Sequence, residues 1–147
     1  MVYSPEEKQR MDAVAHAFRD YIAGHRYYDL LYSEKAGYIR VSTGESCDEI
    51  YFSVKDLEHM IQMFVDDYLL DEESRAKSNL HMDYDRVRAL MIPIFSTLGP
   101  DFDFAVQVME QQIEAQKRRS EHFRQERLEM IKRFEGMLAE LRESVIL

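Results

Sequence analysis

Residues 27–52 read YYDLLYSEKAGYIRVSTGESCDEIYF, and this stretch decides the fold class. Three short β-favouring runs begin at Tyr27, Tyr38 and Glu49, parted by SEKAG and TGES, each with a glycine where a hairpin loop needs positive φ. The spacing predicts a three-stranded antiparallel meander in a chain that otherwise reads as helical. The expected class is therefore α+β and mostly helical: an N-terminal helix, the meander, then helices ending in a long C-terminal helix or a helical hairpin. Strand alternation assigns Tyr28, Leu30, Ile39, Val41, Ile50 and Phe52 to one side of the sheet, and Tyr27, Leu31, Tyr38, Arg40 and Tyr51 to the other. That second side is too aromatic for plain solvent. Either a later helix covers it, or Tyr27, Tyr38, Arg40 and Tyr51 form a partner-binding surface, since Tyr and Arg are enriched at binding hot spots.

Upstream, Ser4-Pro5-Glu6-Glu7 is a helix start, with Ser4 as cap, Pro5 at the first helical position and Glu7 completing a capping box. Met11, Val14, Phe18, Tyr21 and Ile22 continue at helical spacing, which predicts a helix over 5–23 stopped by a left-handed Gly24. Downstream, Ser53 and Asp56 signal a second cap, and Val54, Leu57, Met60, Ile61, Phe64, Tyr68 and Leu69 mark a helix over 54–70. DEESRAKSN then reads as a polar connection. A third helix, capped by Asp83 or Asp85, is expected to bury Val87, Leu90, Met91, Ile94, Phe95 and Leu98 and to kink at Pro93.

After Pro100 only Gly136 would interrupt a helix running to the end of the sequence. Its first part carries a core stripe at Phe102, Ala105, Val106, Met109 and Ile113. Its last part alternates spacings of three and four at Ile131, Phe134, Leu138, Leu141 and Val145, a coiled-coil seam of two heptads. Between them EAQKRRSEHFRQER holds a single large apolar residue, Phe123. A continuous helix and a hairpin turning near Arg119 and Ser120 both fit. The chain divides as a globular domain over 1–113 and a helical extension over 114–147. The seam is expected to be buried by a helix of this chain or of a second copy, the latter giving a homodimer.

Charge is unevenly distributed. Between residues 45 and 73 stand Glu45, Asp48, Glu49, Asp56, Glu58, Asp66, Asp67, Asp71, Glu72 and Glu73 against the single base Lys55, so this window holds the whole net charge of −9. The rest of the chain is balanced. An acidic surface argues against direct binding of nucleic acid, because phosphate recognition depends on Lys and Arg. At 147 residues and 46% hydrophobic, the chain suits one core. No apolar run nears the roughly 18 residues that cross a bilayer, and the charged start MVYSPEEKQR does not suit a signal peptide. The expectation is a cytoplasmic protein that binds no membrane. Cys47, being alone, fits a reducing compartment.

Catalytic constellations are weak. Cys47 with one of the five histidines could form a nucleophile pair, but a lone cysteine is more simply a small apolar filler. HMDYD sets His81, Asp83 and Asp85 at alternate positions, and those acids are more simply helix-start residues. No metal, cofactor or catalytic residue is expected. Lys117, Arg118, Arg119, Arg124 and Arg127, diluted by glutamates, read as a solvated helix face. The favoured expectation is a non-enzymatic inhibitor whose ten window acids dock on the basic nucleic-acid-binding groove of a partner protein, as small mobile-element anti-defence proteins do. The alternative is an adaptor or regulatory subunit that uses its C-terminal helix and aromatic meander.

Overall fold

The computed structural model of the chain describes residues 2–43, 49–77 and 81–145. Glu45, Asp48, Cys47 and the hairpin glycine Gly44 lie outside the described residues. The chain divides after Gln112 into two units.

In the first unit, α1 (Pro5–Ala17) starts as its sequence dictates, with Ser4 Oγ accepting from the Glu7 backbone N–H at 3.1 Å. Instead of continuing to residue 23 it breaks at Phe18 (φ −97°, ψ 11°), and a short α2 (Arg19–Gly24) follows. The break leaves Phe18 fully buried and stacked on Phe64 at 4.2 Å, with Phe95 edge-on at 5.8 Å. Gly24 is not left-handed; His25 ends α2 in an extended conformation.

The meander follows as expected. β1 (Tyr28–Ser33), β2 (Gly37–Thr43) and β3 (Glu49–Ser53) pair antiparallel in the order β1-β2-β3. Gly37 takes φ 71° in the first hairpin. Its lack of a Cβ also admits Tyr3, whose hydroxyl accepts from the Tyr38 N–H and donates to the Val54 carbonyl. The register pairs Leu30 with Arg40 and Arg40 with Phe52, while Leu31 pairs with Ile39 and Val41 with Tyr51. Opposed residues share a face. Tyr28, Leu30, Tyr38, Arg40 and Phe52 therefore lie together, and Leu31, Ile39, Val41 and Tyr51 form the other face. This corrects the alternation derived above, which had β2 out of phase by one residue; hairpin geometry, invisible to single-strand alternation, sets that phase.

The helix α3 (Leu57–Ala76) is capped by Asp56, whose side chain accepts from the His59 N–H at 2.8 Å, and ends at a left-handed Lys77 (φ 58°). It starts three residues later than expected and runs six further, with Glu72 still buried. Asp83 caps α4 (Tyr84–Phe95), which buries Val87, Met91 and Phe95 and leaves Leu90 exposed. A 3-10 turn (Ser96–Asp101), with Gly99 at φ 67° and ψ −118°, leads into α5 (Phe102–Val145). Ala105, Val108 and Met109 of α5 complete the core formed by α1, α3 and α4. Arg10 clamps Asp101 at 2.7 Å and Arg88 clamps Glu110 at 2.8 Å.

In the second unit α5 is helical throughout, with no hairpin near Ser120 and no break at Gly136. Ile113 is buried, whereas every residue from Glu121 to Val145 is exposed. By length and composition alone the helical run Tyr84–Val145 holds an 18-residue stretch, of mean hydropathy 1.3, that could cross a membrane, as the core helix of a soluble protein also can. Gly99 and the 3-10 turn interrupt that run.

Candidate functional site

The acidic window separates into two populations. Asp67 and Glu72, expected on the docking face, are buried at 6% and 4% exposure. Both occupy core phase: Met60, Phe64 and Asp67, like Ile61, Val65 and Glu72, recur at helical spacing along one side of α3. Each has its own internal partner, as a buried charge requires. Glu72 accepts from Arg75 at 2.6 and 2.9 Å and from the Asp83 N–H at 3.1 Å, and Arg86 stands 3.5 Å away. The bond from Arg75 holds its carboxyl below the usual glutamate range.

Glu58 and Asp66 are exposed and Glu73 is half-buried. At about 1.5 Å per residue they stand roughly 12 and 10 Å apart along α3, spread over about 80° of its circumference. Gln112 donates to Asp66 at 2.8 Å, which fixes that carboxylate's position. Asp71 is exposed, Asp56 is spent as the α3 cap, and Glu49 accepts from the Tyr51 hydroxyl.

Asp67 is held by Arg40, which reaches from β2 with Nη2 2.7 Å from Oδ1. The guanidinium lies over the rings of Tyr28 (4.4 Å) and Phe52 (5.6 Å), and its Nε donates to Ser42. Burial pushes the Asp67 carboxyl up to about 6, against the pull of Arg40. Burial likewise raises the hydroxyls of Tyr21, Tyr28 and Tyr68 beside it. The aromatic surface expected from Tyr27, Tyr38, Arg40 and Tyr51 is thus split. Tyr38 and Arg40 face the helices, Tyr38 donating to Asp12; Tyr51 is exposed on the outer face, and Tyr27 is exposed just before β1.

The seam residues Ile131, Phe134, Leu138, Leu141 and Val145 are exposed in this chain, together with Phe123, Leu128, Met130 and Met137. The wider set adds Met130 and Met137 along one flank of the seam, giving a stripe of three apolar residues per heptad, more than a bare two-stranded seam needs. Sequence reading missed this widening because it counted only the inner positions.

Among the described residues no group of three or more His, Cys, Asp or Glu could hold a metal ion. The histidines have local roles: His59 accepts from the Lys55 N–H, His25 from the Tyr27 N–H, and His122 sits 3.1 Å from Glu126. An open cleft of about 660 Å³ beside α1, α2 and β1 includes Asp12, His16 and His25. There Asp12 is bonded by both Lys8 and Tyr38. No protein-family model, curated protein or solved structure matches the chain.

Proposed function

We propose that this chain is a non-enzymatic binding protein of the adaptor kind, whose docking element is the C-terminal part of α5. One observation carries the reading: from Phe123 to Val145 nine large apolar side chains are 38–80% exposed along the helix. Covering one such side chain stabilises by about 1.5–3 kcal/mol, so leaving nine in water is costly unless a partner receives them. A lone cysteine in 147 residues supports a reducing compartment.

A second reading, an acidic inhibitor docked on the basic nucleic-acid-binding groove of a partner, keeps the support of Glu58, Asp66 and Glu73. All three stand on one helix, so little backbone ordering entropy is lost on docking. It loses Asp67 and Glu72, whose charges are internally paired.

Affinity capture from the source cell at low and high salt, with wild type and Leu138→Lys, separates the two. Apolar docking persists in high salt and is lost in Leu138→Lys. Capture that survives Leu138→Lys and fades with salt would replace the adaptor reading with the acidic one.

A further inference from the structure

We infer that the exposed seam of α5 pairs with the same seam of a second copy of this chain, the two helices running antiparallel with Glu135 of one beside Arg142 of the other. The inference rests on reading this helix as the docking element, and it names the occupant.

The inner positions of the seam are Ile131, Phe134, Leu138, Leu141 and Val145, and one heptad earlier the same positions hold Arg124 and Arg127. A parallel, in-register pair would set Arg124 against Arg124 and Arg127 against Arg127, like charges meeting at the interface. It would also stack Phe134 on Phe134 and Val145 on Val145. Turning one helix round removes both conflicts. Leu138 then layers with Leu141, and Phe134 with Val145, bulky against small. With those layers aligned, Arg124 and Arg127 no longer lie opposite their own counterparts.

Charge on the flank chooses the same orientation. Glu135 and Arg142 are exposed and stand seven residues apart on one side of the seam. In a parallel pair these positions face Met130 and Met137 of the second copy. In the antiparallel pair Glu135 meets Arg142, and twofold symmetry makes the contact twice.

Light scattering on the full-length chain over a dilution series tests the pairing, with Glu135→Arg, Arg142→Glu and the double exchange as variants. All three change exposed residues, and circular dichroism confirms that they fold. Wild type is expected at twice the 17.5 kDa of one chain. Each single exchange places like charges together twice and should weaken the dimer about tenfold, while the double exchange should restore it to within about threefold. A dimer that the single exchanges leave unchanged, or that the double does not restore, overturns the antiparallel arrangement. A dimer that persists in Leu138→Lys overturns the seam as its interface. A mass of one chain at every concentration overturns self-pairing itself. The adaptor reading is judged separately, by whether Leu138→Lys loses capture of another protein.

Discussion

Arg40 Nη2 stands 2.7 Å from Asp67 Oδ1, while Asp67 Oδ2 is buried without a hydrogen-bond partner. One side chain comes from the middle strand and the other from α3, so the pair ties the sheet to the helical core. The tie is asymmetric. Burial penalises the Asp67 charge more than Arg40 relieves it, which is why the carboxyl sits near 6.

A pH dependence follows. The folded value of Asp67 lies above the roughly 3.9 of an unfolded chain, so between those values the folded state binds the proton more tightly. Stability from this group is greatest below about pH 4 and declines as pH rises to about 6, by on the order of 1–3 kcal/mol. Asp67→Asn should flatten this part of the profile without lowering stability at pH 7. Arg40→Met leaves the carboxylate buried and unpaired, so it should cost about 3 kcal/mol at pH 7 and less at pH 5. Urea denaturation at pH 4, 5, 6 and 7 checks all three proteins; an Asp67→Asn chain that is much weaker at pH 7 would show that the pair is net stabilising.

Gly37→Ala should destabilise by about 1–3 kcal/mol. Its φ of 71° disfavours any side chain, and an added Cβ would lie 2.5 Å from the Tyr3 hydroxyl that bonds to Tyr38 and Val54. Gly24→Ala, with open space around it, should be neutral or stabilising. Thermal melting of the two variants side by side measures the contrast.

Glu72→Gln should cost about 1–3 kcal/mol at pH 7, because Arg75 and Arg86 lose a buried carboxylate. The Glu72 carboxyl titrates below its ordinary 4.5, so the stability it contributes is present at neutral pH and is lost as pH falls through that lower value. The gap between variant and wild type should therefore narrow in acid. Denaturation at neutral and acid pH measures it; a constant gap would assign the loss to packing.

Reversing the α3 strip, with Glu58, Asp66 and Glu73 all changed to Lys, should shift folding stability by no more than about 1 kcal/mol, as surface sites do. If the acidic reading holds, association with a basic partner slows sharply at low salt and differs little at high salt. Binding kinetics at two ionic strengths decide it. Unchanged association at low salt would leave the strip a solubility device.

Local signals in the sequence were enough for much of this protein. Ser4 and Asp83 cap their helices and Gly37 turns the hairpin, because capping and turn signals act over a few residues. Tertiary structure alone decided the rest. Phe18 broke α1 by packing against Phe64 and Phe95, partners 46 or more residues away in sequence. Pairing across the hairpin, more than alternation along a strand, turned Tyr38 and Arg40 inward. The acids of α3 carry the same charge in the sequence, yet Asp67 and Glu72 fall where the body supplies Arg40 and Arg86, and their neighbour Asp66 falls where it supplies water. The physical reason is that burial and pairing are properties of what the rest of the fold brings to a residue, and composition within a window does not contain that.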